Sequence, residues 1–179
     1  FFDGEVAADA PFIPVERNMS TRTLRSMAAQ CTSDYLLLYT HAGALTLGYR
    51  AVERLLSVAV DSHAHWVYSH YRVVRQGVEM AVPTNEYQEG SLRDDFDFGS
   101  VLVFSTPHFK HAVHYLEQQD SYQFAGLYAL RLHLSTQGHI THINEYLYSE
   151  VENDTRKSGE KIFDYVDPRN RNRQIEMEQ

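Results

Sequence analysis

The chain has 179 residues, a length that fits one domain and allows about 70% of the unfolded surface to be buried. Its apolar fraction of 43% excludes general disorder, and the sequence holds no run of about 18 apolar residues that would span a membrane. The 16 basic and 24 acidic residues give a net charge of −8, which argues against non-specific binding to nucleic acid.

Cysteine content and the first residues bear on the compartment. The single Cys31 excludes an internal disulfide and suits a reducing environment. A basic segment followed by an apolar one, which would mark a secretory signal, is not visible. We therefore expect a cytoplasmic protein without a transmembrane segment, and a peripheral position on a membrane stays open.

The first half of the chain alternates between strand and helix patterns. The apolar run Tyr35–Tyr39 is typical of a strand buried on both faces of a parallel sheet. Ligands bind beyond the carboxyl ends of such strands in open α/β sheets, so Thr40 and His41 are expected at a ligand site. The other predicted elements are a strand at residues 12–15, a helix that begins at Ser20 or Thr21, a helix over 45–60, and strands over 66–73 and 78–82 joined by a turn at Gln76 and Gly77.

The second half opens with a polar segment, residues 84–97, that carries several carboxylates. A strand over 100–104 follows, and then a helix that Thr106 caps, with Pro107 at its first position. Helical spacing continues over 122–136, short strands are predicted over 140–143 and 146–148, and a terminal helix over 171–178. This order of elements predicts an α/β fold with crossover helices.

Several segments, taken in order, resemble the family 2 glycosyltransferases, which are inverting nucleotide-sugar enzymes. Residues 20–25 are similar to the stretch that opens the third helix of that family, and 34–39 to the strand before its Asp-x-Asp motif. Residues 98–104 look like the acceptor-side strand, 124–132 like the helix with the Glu-Asp catalytic motif, and 139–148 like the closing strand pair. The likeness covers about residues 12–150, without a counterpart to the family's first strand and helix.

The resemblance implies a fold and an activity. The fold would be a GT-A-like three-layer sandwich, with a mostly parallel central sheet and helices on both faces, over residues 1–150. Residues 151–179 would add a polar loop and a helix to the same domain. The activity would be that of a hexosyltransferase, with a nucleotide-sugar donor and a glycan acceptor as partners.

The acidic motifs of the family are replaced in this chain. Thr40 and Ala42 stand at the Asp-x-Asp positions, and Gly126 and Leu127 at the Glu-Asp positions. Because Ala42 and Gly43, where a third acid often follows, offer no side-chain oxygen, a divalent metal is not expected and the cofactor stays unknown. An inverting transfer still requires a group that takes the proton of the acceptor hydroxyl, so the base must lie elsewhere.

Two groups of residues are candidates for the site. Three carboxylates so close together before a strand would be expected to raise one another's pKa, so one of them could act as the base, although such side chains also hold turns or simply face solvent. Basic and polar side chains would hold the diphosphate of the donor, with solvated surface as the alternative for each. The candidate bases are Asp94, Asp95 and Asp97, and the candidate donor-binding residues are Arg25, Thr40, His41, Arg156 and Lys157.

Two other functions stay open. The missing acids favour a non-catalytic module that binds carbohydrate or a protein, with aromatic rings as the stacking surface. A third interpretation, a subdomain whose N-terminal part comes from elsewhere in the gene, is compatible with both the enzyme and the binding module. The rings considered for stacking are Tyr39, Trp66, Tyr68, Tyr71 and Tyr128.

Overall fold

A computed structural model describes residues 17, 19–93, 95–119, 121–152 and 171–179. Six strands and five helices form within these ranges. In chain order they are α1 (Thr21–Gln30), β1 (Tyr35–Tyr39), β2 (Leu45–Leu47), α2 (Ala51–Ser62), β3 (Trp66–Arg75), β4 (Val78–Val82), β5 (Val101–Ser105), α3 (Thr106–Glu117), α4 (Gly126–Gln137), β6 (Ile140–Val151) and α5 (Arg171–Glu178).

The strands form one mixed sheet in the order β1-β5-β3-β6-β2, and β4 pairs with β3. Among the described strands, only the β3–β6 pair is parallel, and the other four pairings are antiparallel. The prediction of a GT-A-like three-layer sandwich with a mostly parallel sheet was therefore wrong. The fold is a mixed α/β arrangement around a curled sheet that resembles half of a barrel.

The apolar run Tyr35–Tyr39 explains that error. It forms a strand as predicted, but β1 pairs antiparallel with β5 and only Leu38 in it is buried. Leu37 is 37% exposed. A five-residue apolar run has the same composition in a half-covered strand as in a fully buried one, and tyrosine tolerates partial exposure because its hydroxyl can be hydrated.

The curl of the sheet follows from its connectivity. β1 and β2 lie at opposite ends of the strand order, yet only residues 40–44 separate them in the chain. Thr40 N–H donates to the Ser100 carbonyl at 2.9 Å, and Val151 N–H donates to the Ala44 carbonyl at 3.0 Å. The loop therefore crosses from the beginning of β5 to the end of β6, which requires these two strands to approach each other.

The helix predicted over 45–60 begins later than expected. Leu45 and Leu47 alternate along a short strand that pairs with Glu150 and Tyr148, and α2 starts only at Ala51. Between them Gly48 N–H donates to the Leu147 carbonyl at 2.8 Å, where an added Cβ would lie 2.9 Å from the same oxygen. Three residues with strand pairing were thus assigned to the helix because their apolar spacing fits both structures.

Helices pack on the two faces of the sheet around separate cores. Alternate residues of β5 point to opposite faces, as strand geometry requires. One core lies between the sheet and α1, α3 and α4, and the other between the sheet and α2. The first contains Leu24, Trp66, Tyr68, Leu102, Phe104 and Leu130, and the second contains Leu55, Val67, Val101, Val103, Leu147 and Tyr148.

Several local predictions are confirmed. Ser20 caps α1 by accepting a hydrogen bond from Thr23 N–H at 3.1 Å, and both turn residues between β3 and β4 have positive φ, 50° at Gln76 and 79° at Gly77.

Other elements differ from the prediction in their bounds. The α3 cap is Ser105, one residue before the predicted Thr106. The two short strands predicted over 140–148 are one strand, β6, and the strand predicted at residues 12–15 lies outside the described ranges. None of the described helices is long and apolar enough to cross a membrane.

Candidate functional site

The curl brings polar side chains from β1, β5 and β6 together beside the loop at residues 40–44. We call this group the seam cluster, because it lies where the beginning of β5 and the end of β6 approach each other. Its members come from distant parts of the chain, and the hydroxyls, imidazole and carboxylate among them are those of Tyr39, His41, Ser100, Tyr148 and Glu150.

Glu150 is the acidic member of the seam cluster. Its side chain is 10% exposed, accepts a hydrogen bond from the Ser100 hydroxyl, and lies 3.9 Å from His41 Nδ1. A carboxylate this deeply buried is costly unless it is hydrogen-bonded or meets a charge, so its retention here indicates a structural or chemical use. The structure therefore places a carboxylate beside the end of β1, where Thr40 and Ala42 offer none.

The hydrogen bonds of His41 define its tautomer. Gly43 N–H donates to His41 Nδ1 at 3.1 Å, and the Tyr39 hydroxyl, 3.3 Å from the same nitrogen, donates to the Gly43 carbonyl at 2.9 Å. Nδ1 is thus an acceptor in the neutral ring, and the ring proton is on Nε2. A Cβ on Gly43 would lie 2.2 Å from the Val151 carbonyl, so the tight loop that orients His41 requires glycine.

The Tyr148 hydroxyl organises the beginning of β5. It accepts hydrogen bonds from Ser100 N–H at 2.7 Å and Val101 N–H at 3.2 Å. Gly99, with φ of 69°, precedes them, and a Cβ there would lie 2.3 Å from the same hydroxyl. Burial raises the pKa of Tyr148, and burial with the nearby Glu150 charge raises the pKa of Tyr39 to about 12. Both phenols therefore act as neutral hydrogen-bonding groups.

Asp97 is linked to the seam cluster through two tyrosine rings. Its Oδ2 accepts a hydrogen bond from the Tyr71 hydroxyl at 3.2 Å, and the Tyr71 ring stacks on the Tyr148 ring at a centroid distance of 5.5 Å. Its Oδ1 accepts from Gly99 N–H at 2.7 Å. Asp97 therefore stabilises the backbone turn that leads into β5, a role that carboxylates in turns often have.

The other predicted site residues lie in different places. Asp95 faces Arg93, with 3.4 Å between its Oδ1 and the arginine Nε, and Asp94 lies outside the described residues. Thr40 joins the seam cluster by donating from its hydroxyl to the Ser100 carbonyl at 3.3 Å. Arg25 pairs with Glu117 at 2.9 Å on the helix layer of the opposite sheet face, and Arg156 and Lys157 lie outside the described residues.

A second polar group lies on the other sheet face, beneath the segment at residues 83–87. Thr84 N–H donates to His70 Nδ1 at 3.0 Å, so His70 carries its proton on Nε2, which lies 2.5 Å from Asn144 Oδ1. His142 Nε2 lies 3.2 Å from His70 Nδ1 and 3.0 Å from the Thr84 hydroxyl. Within the described ranges, no three His, Cys, Asp or Glu side chains lie close enough together to hold a metal ion.

An open groove of about 340 Å³ lies between the start of α2 and strand β6. Tyr49, which is 94% exposed, stands at this groove. Arg54 crosses it to Glu145 with two hydrogen bonds of 2.9 and 2.6 Å. Leu147, next to Tyr148 in the chain, forms part of the wall, so β6 contributes to both the groove and the seam cluster.

Comparison with models of protein families and with characterised proteins found no match to this chain. The site must therefore be interpreted from its own geometry. Of the predicted site residues, Thr40, His41 and Asp97 lie in or next to the seam cluster, and Ser100, Tyr148 and Glu150 were not among the residues predicted. The available signal was that Tyr148 and Glu150 fall on the same face of one strand, where an acidic residue beside a large ring is unusual for a core.

Proposed function

We propose that the chain takes part in the transfer of a sugar from a nucleotide-sugar donor to a glycan acceptor, with the seam cluster as the reaction centre. The observation that supports this function is the buried Glu150 carboxylate beside His41 at the end of β1. The family's base positions are occupied by Gly126 and Leu127, so the transfer requires a proton acceptor from elsewhere in the chain. Glu150 supplies that acceptor from a strand late in the chain.

The chemistry of an inverting transfer assigns the roles. Glu150 accepts the proton of an acceptor hydroxyl, whose oxygen forms a bond to the anomeric carbon of the donor sugar. The bond from that carbon to the diphosphate oxygen breaks, and its electron pair leaves with the diphosphate. His41 donates from Nε2 to a sugar or phosphate oxygen, and the Thr40 and Tyr39 hydroxyls, whose protons go to backbone carbonyls, accept hydrogen bonds from sugar hydroxyls.

The groove beside Tyr49 suits the glycan acceptor. Sugar rings stack on exposed aromatic faces and hydrogen-bond planar charged groups, and the groove offers Tyr49 together with Arg54 and Glu145. This groove also supports the second candidate function, a module that binds carbohydrate without catalysis. Binding of neutral oligosaccharides together with no turnover of any donor would favour that function.

The first prediction concerns Glu150. We expect calorimetric titration with UDP- and GDP-sugars, with and without Mn²⁺, to detect donor binding, and we expect release of the nucleoside diphosphate with a glycan acceptor. Glu150→Gln keeps the shape of the side chain but removes the basic oxygen, so turnover should fall by about 10²–10⁴-fold with donor affinity nearly unchanged.

The control is Glu117→Gln, which removes a carboxylate from α3 on the opposite sheet face and should leave turnover as in the unmutated protein. Asp97→Asn tests the competing base. Loss of turnover in that variant alone would assign the proton transfer to Asp97, and the absence of binding heat with every donor would refute the proposed function.

A further inference from the structure

Arg131 of α4 places its guanidinium between aromatic rings. Its Cζ lies 5.3 Å from the centroid of Phe98 and 5.8 Å from that of Trp66. The Arg131 Nε and the Trp66 Nε1 are both buried, and neither has a hydrogen-bond partner within the described part of the chain. Both groups donate hydrogen bonds and cannot accept them, so the neighbourhood holds two buried donors whose acceptors the described residues do not supply.

The usual solution for a buried arginine is a carboxylate partner, and no salt bridge joins Arg131 to a described acidic residue. Asp97 is the acidic group whose charge acts on Arg131, but its two oxygens are engaged by Gly99 N–H and the Tyr71 hydroxyl. Burial lowers the pKa of Arg131 to about 10, against the opposing effect of Asp97, so the guanidinium stays charged at neutral pH.

We propose that Arg131, with Trp66 beside it, forms a recognition site for a ligand oxyanion, either a phosphate group or the carboxylate of an acidic sugar. Oxygens of either group accept hydrogen bonds, and the planar fork of arginine binds them in pairs. Arg131 is partly exposed as a whole residue, whereas its Nε is buried. The site lies with the first core, on the sheet face that α1, α3 and α4 cover. The seam cluster lies on the opposite face with Tyr148 of the second core, so the inference stands independently of it.

The second prediction tests this site with inorganic pyrophosphate, UDP and glucuronate, titrated into the full chain at low salt, and with glucose as the uncharged control. We expect one or more of the three anions to bind and glucose not to compete. Arg131→Met should weaken anion binding by at least about tenfold, since charge-assisted hydrogen bonds are among the strongest polar contacts. The matched control is Arg72→Met, which removes an arginine that also lies over an aromatic ring, that of Tyr146 at 4.9 Å, and should leave the affinity unchanged.

Two further measurements separate recognition from a purely structural role. Asp97→Asn removes the competing negative charge near Arg131 and should tighten anion binding, an effect that a structural arginine would not show. Because Arg131→Met also removes a charge that lacks a paired carboxylate, its melting temperature should equal or exceed that of the unmutated protein.

The outcomes show whether the oxyanion is a phosphate or a sugar carboxylate, and whether the proposal holds. Binding of pyrophosphate and UDP without glucuronate assigns the oxyanion to phosphate, and the reverse pattern assigns it to a sugar acid. The proposal fails if none of the three anions binds the unmutated protein, or if Arg131→Met melts lower and binds them equally well. Turnover lost in Glu150→Gln with pyrophosphate binding kept would show that the two sites fail separately.

Discussion

At the scale of single residues, one phenol oxygen connects two strands that are not adjacent in the sheet. Tyr148 of β6 accepts hydrogen bonds from the backbone of Ser100 and Val101 at the start of β5. No side chain of β5 itself can satisfy these N–H groups in the same way. The geometry of the seam cluster therefore depends on a hydroxyl from the strand that also carries Glu150.

The third prediction concerns this hydroxyl. Tyr148→Phe keeps the ring and its stacking on Tyr71 but leaves two buried backbone donors without an acceptor, so the free energy of unfolding should fall by about 1–3 kcal/mol. Urea denaturation measures the change. Tyr49→Phe removes a hydroxyl from a ring that is 94% exposed and should change the stability little. Equal stability of Tyr148→Phe and the unmutated protein would show that water replaces the phenol.

His41 and Glu150 show what sequence patterns reveal about the site at this scale. His41 was predicted as a ligand contact because it follows a strand with a clear sequence pattern. Glu150 was missed because three helices separate it from His41 in the chain, and only the pairing of β2 with β6 brings the two together. Local patterns predict where a strand ends, but long-range strand pairing determines which residues lie beside that end.

At the scale of elements, those with a complete local signal were predictable. α1 has a capping serine, and the turn between β3 and β4 has a glycine where φ is positive. The buried residues of α3 follow helical spacing. β2 was missed because Leu45 and Leu47 fit both a strand and a helix, and the pairing with β6 that decides between them is not local.

The fourth prediction concerns the α1 cap. Ser20→Ala removes the acceptor for Thr23 N–H at a buried position, which should destabilise the protein by about 1 kcal/mol. The control is Ser26→Ala within the same helix. Ser26 donates only to the Arg22 carbonyl one turn back, and alanine is the better helix former, so this change should be neutral or slightly stabilising. Equal losses in the two variants would argue against a capping role.

At the scale of the whole molecule, partly buried histidines give the fold a pH dependence. Burial lowers the pKa of His65, His133 and His142, with neighbouring histidines as a smaller cause. The folded protein therefore binds fewer protons than the unfolded chain between these lowered values and about pH 6.5, the ordinary imidazole value. Stability is complete above that pH and declines as the pH falls through this window.

The fifth prediction follows. The urea midpoint should be lower at pH 5.5 than at pH 7.5, and His142→Gln should reduce the difference because one lowered imidazole is removed. His114→Gln, at an exposed position on α3, should leave the pH dependence intact. A midpoint that stays constant or rises on acidification would contradict this account.

The fold as a whole was the least predictable property. Strand, helix and strand in alternation favoured a parallel sheet with crossovers, and the chain does make one parallel pair, β3 with β6. The remaining pairs are antiparallel, since β5 returns between β1 and β3 instead of extending the series. Element order alone does not determine strand direction when the connections are long enough for either choice.

The place of β6 in the sheet has a consequence for biosynthesis. This strand joins β3 to β2, yet the ribosome delivers it after every other described strand. A nascent polypeptide that has reached Gln137 can already pair β1, β5 and β3, while the edge of β3 still lacks the strand that pairs with it. Such an intermediate is a natural client for chaperones, and premature termination in this region should yield insoluble fragments instead of a smaller working unit.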